Sequence, residues 1–98
     1  MQRLTPAEEK VMLKLWRLEV AVVKDILELY EKPRPSYNTV STIVRILEKK
    51  KFIEHKKKGR GYIYMPRVTQ SDYSEYLISF LKANYFDNDV EKFKAAIV

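Results

Sequence analysis

The sequence contains no cysteine, a single histidine and only two glycines among its 98 residues. The lack of cysteine excludes disulfides and thiolate metal sites, and it favours a reducing, cytoplasmic location. No apolar run approaches the roughly 20 residues of a membrane-spanning helix, and the N-terminus lacks a signal-peptide core. No glycine-rich phosphate loop is present, nor any histidine or cysteine arrangement that would activate a nucleophile. The sequence therefore predicts no enzymatic activity, no cofactor, no metal site and no membrane insertion.

The charged residues are unevenly distributed along the chain. The net charge is +6, with 46% hydrophobic and 33% charged residues, which is typical of a soluble folded chain with one modest core. Residues 36–67 contain nine basic and two acidic side chains, whereas residues 1–35 have a net charge of +1 and residues 68–98 of −2. A lysine face that only met solvent would be interspersed with acidic residues. The concentration of charge in the middle third indicates a polyanionic partner.

Three amphipathic helices are predicted in the first half of the chain. The segment Thr5–Glu8 has the pattern of a capping box and begins a helix over 6–17. A second helix is expected over 22–31, where two prolines end it, and Ser36 caps a third. Apolar residues recur at helical spacing in each and predict the core-facing side: Val11, Met12, Leu15 and Trp16; Val23, Ile26, Leu27 and Tyr30; Val40, Ile43, Val44 and Leu47.

The third helix also has a face of small polar and basic side chains. Serine, threonine and asparagine are poor helix formers, so a face selected only for helicity would use alanine, glutamate and lysine instead. Small hydroxyl and amide groups would allow the helix to lie deep in a major groove and bond to base edges. The alternative is that these are ordinary exposed helix residues. The predicted DNA-binding residues of this helix are Ser36, Tyr37, Asn38, Thr39, Ser41, Thr42, Arg45 and Lys49.

A basic β-hairpin is predicted after the third helix. The β-rich segments Phe52-Ile53 and Tyr62-Ile63-Tyr64 flank a loop that contains both glycines. Such a hairpin can reach phosphates or the minor groove beside a helix that occupies the major groove. His55 is interpreted as a surface residue of the hairpin rather than a metal ligand. The predicted DNA-binding residues, expected to cluster at the hairpin tip, are Lys56, Lys57, Lys58 and Arg60.

The last third of the chain is predicted to be helical, over about 71–85 and again over 90–98. The apolar surface of the first of these helices is wider than one core-facing side requires, which indicates a second copy of the chain as partner. The alternative is that this helix only closes the core. The predicted dimerisation residues are Tyr73, Tyr76, Leu77, Phe80, Leu81, Tyr85 and Phe86. We expect a DNA-binding domain over 1–68 and a helical dimerisation region over 69–98. Because the chain ends in an apolar segment at Val98, we expect this region to be truncated.

The order of these motifs resembles the penicillinase-repressor (BlaI/MecI) family of winged-helix repressors. The segments that carry the resemblance are Leu4-Thr5-Pro6-Ala7-Glu8 with Val11-Met12 and Leu15-Trp16; Val23-Lys24-Asp25-Ile26-Leu27; Thr39-Val40 with Thr42; Leu47-Glu48-Lys49-Lys50; Gly59-Arg60-Gly61-Tyr62-Ile63-Tyr64-Met65-Pro66; and Phe86-Asp87-Asn88. Each motif is weak alone, but all of them in order are fairly specific. The resemblance implies a mainly α fold with a small β-hairpin wing, a winged helix-turn-helix followed by a C-terminal dimerisation helix.

The family resemblance also implies a function. It implies a homodimeric repressor that binds a palindromic operator in double-stranded DNA and that is released through cleavage by a membrane sensor-protease. The sequence departs from the family pattern at Val22, where a capping serine or threonine is usual, and at Lys51, where a turn glycine is common. Ile46 replaces a frequent arginine, and residues 93–97 lack the Asn-Phe pair that is cleaved in the best-known members.

A second hypothesis remains open. The same scaffold could be a winged-helix protein-interaction module that docks on an acidic partner, with the aromatic helix over 73–86 as the partner site. Sedimentation of the pure chain separates the two hypotheses. If the chain stays monomeric at all concentrations and does not bind duplex DNA, the interaction module is favoured.

Overall fold

The computed structural model describes all residues from Met1 to Val98. The elements are α1 (Pro6–Leu18), α2 (Val23–Glu28), α3 (Tyr37–Lys49), β1 (Ile53–Lys58), β2 (Gly61–Pro66), α4 (Gln70–Tyr85) and α5 (Val90–Ile97). They form two compact units, one of residues 4–69 and one of residues 1–3 with 70–98. The protein is thus mainly helical with one antiparallel hairpin, as the sequence predicts. None of the helices combines the length and apolar character needed to cross a membrane.

The core of the first unit lies where α1, α2 and α3 pack on one another and on the start of β1. Each fully buried aliphatic or aromatic side chain of this kind contributes about 1.5–3 kcal/mol to folding. Trp16 is only half-buried, and its indole Nε1 donates a hydrogen bond to the Val68 carbonyl at 2.9 Å. Trp16 therefore ties α1 to the segment after β2 as well as contributing apolar surface. The buried side chains are Leu4, Val11, Met12, Leu15, Ala21, Val23, Ile26, Val40, Val44, Leu47, Phe52 and Ile53.

The second helix is shorter than the sequence predicts, since α2 ends at Glu28 rather than at residue 31. The amides of Leu29 and Tyr30 turn back to carbonyls three residues earlier, both at 3.1 Å. The Arg34 guanidinium then donates to the carbonyls of Tyr30 and Glu28, at 3.1 and 3.2 Å. These contacts satisfy the free carbonyls at the end of the helix, so the α2 segment stops before the prolines are reached.

The connection between α1 and α2 pairs with the hairpin. Ala21 and Tyr64 exchange two backbone hydrogen bonds of 3.0 and 2.7 Å, which form an isolated antiparallel bridge. Sequence reasoning did not predict this bridge, because one residue has no alternating pattern to detect. The bridge fixes the hairpin to the start of α2, and thus sets where β2 runs relative to α3.

The basic hairpin forms, but three of its four predicted tip residues lie elsewhere. Lys56, Lys57 and Lys58 are paired residues of β1, opposite Ile63, Tyr62 and Gly61, and only Arg60 lies in the turn. Gly59, the first central residue of that two-residue turn, has φ +61°, a conformation that glycine adopts without strain. The positive side chains are therefore spread along one strand rather than clustered at a point.

The C-terminus of α3 has a left-handed residue that is not glycine. Lys51 has φ +69°, and the Phe52 amide bonds to the Leu47 carbonyl while the Lys51 amide bonds to the Glu48 carbonyl. This is the Schellman arrangement, which usually has glycine at the position of Lys51. Phe52 and Leu47, which accompany the motif, are both buried. The departure from glycine noted at Lys51 in the sequence therefore lies at a left-handed residue.

Replacement of Lys51 by glycine is expected to raise the free energy of unfolding by about 1 kcal/mol, because glycine removes the left-handed penalty of an L-residue. Urea unfolding at neutral pH measures the change. Lys51→Ala is the matched control, since it removes the same amine but keeps the Cβ, and it should not stabilise the chain. Equal effects of the two substitutions would assign the gain to charge rather than to backbone strain.

Glu8 is the one buried charged residue, and it joins α1 to α3. Its carboxylate accepts from the Lys50 Nζ at 2.7 Å and from the Thr5 amide at 2.9 Å, while the Thr5 hydroxyl accepts from the Glu8 amide at 3.2 Å. The capping box predicted for α1 is thus formed. Burial alone would raise the pKa of Glu8, but the hydrogen bonds from Lys50 and Thr5 and the charge of Lys50 lower it below its usual 4.5.

Glu8→Gln is expected to lower the free energy of unfolding by about 2 kcal/mol at pH 7. Breaking a buried pair costs about 3–5 kcal/mol, and the partial exposure of Lys50 reduces that figure. Because the folded-state pKa is lowered, the ionised carboxylate stabilises the protein above pH 4.5, and this contribution is lost as the pH falls through the folded pKa. The difference between wild type and variant should therefore shrink in urea titrations from pH 7 to pH 3. Glu9→Gln is the control, and a constant difference at all pH values would contradict the ionic role.

The second unit is formed by α4 and α5 together with residues 1–3. A tight turn joins the helices, in which Asp87 and Asn88 have φ +52° and +57°. Asp89 caps α5, and its carboxylate accepts from the amides of Glu91 and Lys92 at 2.9 and 3.2 Å. The rings of Phe86 and Phe93 meet edge to face with centroids 5.5 Å apart. The turn predicted at Phe86-Asp87-Asn88 is thus present.

Candidate nucleic-acid interface

The predicted polar face of α3 is on the surface. Tyr37, Asn38, Thr39, Thr42, Arg45 and Lys49 are exposed, Ser41 is half-buried, and exposed Ser36 is the N-cap. The opposite side of the helix carries Val40, Val44 and Leu47, none of which has measurable exposure. The helix therefore has one side fixed in the core and one free to enter a groove.

The hydroxyl groups of this face are already engaged within the helix. The Ser36 hydroxyl accepts from the Thr39 amide at 3.1 Å and lies 2.8 Å from the Thr39 hydroxyl. The Thr42 hydroxyl donates to the Asn38 carbonyl at 2.8 Å. With its proton directed at the backbone, the Thr42 hydroxyl retains only acceptor capacity for a partner. Arg45 lies beside Ser41, with the guanidinium 3.4 Å from its hydroxyl.

A cleft of about 390 Å³ separates α3 from the hairpin. Three predicted α3 residues, Tyr37, Ser41 and Arg45, line it together with Lys58 of β1. Tyr62 and Tyr64 of β2 also line the cleft, and the sequence analysis did not predict either of them as a site residue. The alternation of Tyr62-Ile63-Tyr64 was the available signal, because it places both phenol rings on one face of the strand. The cleft is lined by Val22, Val23, Tyr37, Ser41, Arg45, Lys58, Gly61, Tyr62, Ile63 and Tyr64.

The Tyr64 phenol is held in its protonated form. Burial raises its pKa, the carboxylate of Glu48 raises it further, and Arg45 opposes these effects. A neutral phenol is a hydrogen-bond donor as well as an acceptor. The cleft therefore combines two cationic side chains with a phenol O–H, which together suit an anionic oxygen such as that of a phosphate.

His55 connects the hairpin to the end of α3. Its Nδ1 bonds to the Glu48 carboxylate, and its ring meets those of Tyr62 and Tyr64 edge-on, with centroids 4.7 and 6.1 Å away. His55 thus lies on the surface of the hairpin. No group of three or more His, Cys, Asp or Glu side chains is placed to hold a metal ion. The hairpin is thus fixed at two points, to α3 through His55 and to the α1–α2 connection through the bridge from Ala21 to Tyr64.

A second cleft of about 680 Å³ lies between α1 and the α2–α3 connection. The Lys14 ammonium lies over the Tyr30 ring, 4.1 Å from its centroid. Burial lowers the pKa of Lys14, the charge of Lys10 lowers it further, and Glu31 partly opposes this. The cleft is thus basic as well, but it does not adjoin the predicted recognition residues.

Comparison with known proteins identifies the family of this chain. The sequence profile described as penicillinase repressor matches residues 4–98. The chain belongs to the penicillinase repressor family. A penicillinase repressor from Bacillus licheniformis is 31% identical over 74 residues, which are 74% of this chain and 58% of that protein. The chain thus spans less than two thirds of the length of this curated relative.

A solved relative supports the same assignment for the fold. The solution structure of the monomeric form of Bacillus licheniformis BlaI, in complex with the blaP half-operator, has a TM-score of 0.61. It is 29% identical, and the similarity covers 74% of this chain and 89% of the other. The predicted winged-helix architecture is therefore confirmed, with β1–β2 as the wing.

The penicillinase-repressor family departures noted in the sequence have structural counterparts. Val22 is the N-cap of α2 and offers no side-chain acceptor, so only the Asp25 carboxylate closes the turn, 3.4 Å from the Val22 amide. Ile46, another of these positions, is 42% exposed on α3. Of the seven residues predicted for dimerisation, Tyr73 is 2% exposed and thus already buried within the chain, whereas Leu81 and Tyr85 are 38% and 69% exposed.

Proposed function

We propose that this chain is a sequence-specific DNA-binding repressor that acts as a homodimer on a palindromic operator. The observation that carries the proposal is the joint placement of α3 and the wing. An exposed polar helix face and a strand of three consecutive lysines flank one cleft, and this region holds all of the excess positive charge. The relative from Bacillus licheniformis is described in complex with a half-operator, which supports the same use of this fold.

In this proposal the helix and the wing have different tasks. The outer face of α3, with Asn38, Arg45 and Lys49 exposed, would read base edges in a major groove. Lys58 and the Tyr64 phenol, on the wing side of the cleft, would hold the phosphate strand that passes between the grooves. Lys56, Lys57 and Arg60 would contact further phosphates and contribute affinity without sequence preference.

The proposed dimer uses the apolar side of α4. Ile78, Leu81 and Tyr85 are 47%, 38% and 69% exposed, and they continue the stripe of half-buried Tyr76, Leu77 and Phe80. A stripe this wide is more apolar surface than one buried side requires. A two-fold dimer would bring two copies of α3 to half-sites about 10 base pairs apart, one helical turn of DNA.

Regulation through a membrane sensor-protease belongs to the same proposal. No side chain of α5 is buried, so a protease would find the segment after Asp89 accessible. Residues 93–97 read Phe-Lys-Ala-Ala-Ile and contain no Asn-Phe pair, so the cut in this chain would require a protease of different sequence preference.

Selection from a random pool of short duplexes, read by anisotropy and sequencing of the retained fraction, tests the function. Enrichment of a two-fold palindrome is the expected result. Uniform, salt-sensitive retention would contradict sequence-specific repression and indicate contacts by the wing alone. No retention, together with a concentration-independent monomer in sedimentation, would favour a protein-interaction module instead.

A further inference from the structure

The polar face of α3 includes one exposed apolar side chain, which the pattern of polar residues in the sequence does not reveal. Ile46 is 42% exposed, whereas Val44 and Leu47 on the other side of the helix have no exposure. Ile46 follows Thr42 by four residues and Thr39 by seven, so the three side chains share one face of the helix. Isoleucine is therefore placed at the border of the surface proposed to meet base edges, beside Thr42 and Thr39.

The two threonines make this part of the face less polar than their residue types suggest. The Thr42 hydroxyl donates to the Asn38 carbonyl, and the Thr39 hydroxyl is bonded to that of Ser36. Each hydroxyl is thus directed at its own helix, and the γ-methyl group is the part of each threonine left to contact a partner. Together with Ile46 these methyl groups form a small apolar patch, which we call the methyl patch, bordered by Asn38, Arg45 and Lys49.

The apolar group that base edges offer in a major groove is the 5-methyl of thymine, which distinguishes T·A from the other base pairs. We propose that Ile46, supported by Thr42, reads the 5-methyl group of one thymine in each half-site. The inference rests on the proposed DNA-binding function and adds a base preference to it.

The test compares thymine with deoxyuridine, which differs only by the absent methyl group. Each thymine of the selected operator is replaced in turn, symmetrically in both half-sites, and affinity is measured by anisotropy. Loss of one buried methyl weakens binding about 4-fold, so loss from both half-sites should weaken wild-type binding by roughly 10-fold or more at one position and little elsewhere. Ile46→Ala should lose a similar factor on the unmodified operator, and it should no longer distinguish thymine from deoxyuridine there.

Two further variants separate methyl reading from general effects. Ile46→Val keeps a β-branched apolar side chain and should retain most of the discrimination. Leu13→Ala is the matched control, because Leu13 is a comparably exposed aliphatic residue, at 47%, on α1. It should leave both affinity and thymine preference unchanged.

The possible outcomes separate this inference from the proposed function. If an operator is selected but no thymine is sensitive to loss of its methyl, or if Ile46→Ala keeps the full sensitivity, the methyl reading is wrong while sequence-specific binding stands. If no operator is selected by the wild-type chain, the proposed function itself fails, and the methyl reading fails with it.

Discussion

Replacement of Lys56, Lys57 and Lys58 together by alanine is expected to weaken binding to any DNA duplex by about 500-fold at 0.1 M salt. Each phosphate contact contributes about 0.9 to the slope of log affinity against log salt, so three contacts account for a decrease of nearly three in that slope. The expectation follows from the structure, in which the three residues are consecutive on β1 and exposed. Titration of a palindromic and a scrambled duplex at several salt concentrations measures both quantities.

The loss should be equal for the two duplexes, because phosphate contacts carry no sequence information. Replacing the same three lysines by arginine keeps the charge and should keep the affinity. Replacing Lys82, Lys92 and Lys94 by alanine removes the same charge from the C-terminal unit and should change the salt slope little. A triple β1 variant with the wild-type slope would show that the wing does not reach DNA.

Leu81→Asp is expected to abolish dimerisation and to lower the affinity for a two-half-site operator by about 100-fold or more. Joining two DNA-binding units in one dimer raises the overall avidity by about 10²–10⁴, and a monomer lacks this increase. Leu81 is 38% exposed on α4, so an aspartate there can be solvated in the monomer, whereas a dimer interface would bury its charge. Sedimentation gives the oligomeric state, and anisotropy on one and two half-sites gives the affinities.

The binding to a single half-site separates loss of dimerisation from loss of folding. It should be unchanged in Leu81→Asp, because the residues of α3 and the wing are untouched. Ser79→Asp introduces the same charge on an exposed position of the same helix, away from the apolar stripe, and should remain dimeric. A wild-type chain that sediments as a monomer at all concentrations would contradict the proposed dimer.

Much of the fold could be read from the sequence because its signals are local. The capping box at Thr5 and Glu8, the apolar spacing of α1 and α3, and the glycine in the hairpin turn each depend on residues a few positions apart. Lys51 was also singled out, because the family resemblance marks it as a position where a turn glycine is common, and its backbone is left-handed. The concentration of lysine and arginine in residues 36–67 was sufficient to indicate a polyanion partner.

What the sequence by itself determined was therefore the helices, the hairpin, the family and the charge that points to DNA. Only the tertiary structure decided that Lys50 pairs with Glu8, that Ala21 joins β2, and that Tyr62 and Tyr64 line the cleft beside Arg45. It also decided that the threonine hydroxyls of α3 bond to their own helix and leave Ile46 exposed among them. The physical reason is the sequence distance over which each interaction acts. Caps and periodicity act within a few residues, whereas pairing across elements and the direction of a hydroxyl depend on how the whole chain packs.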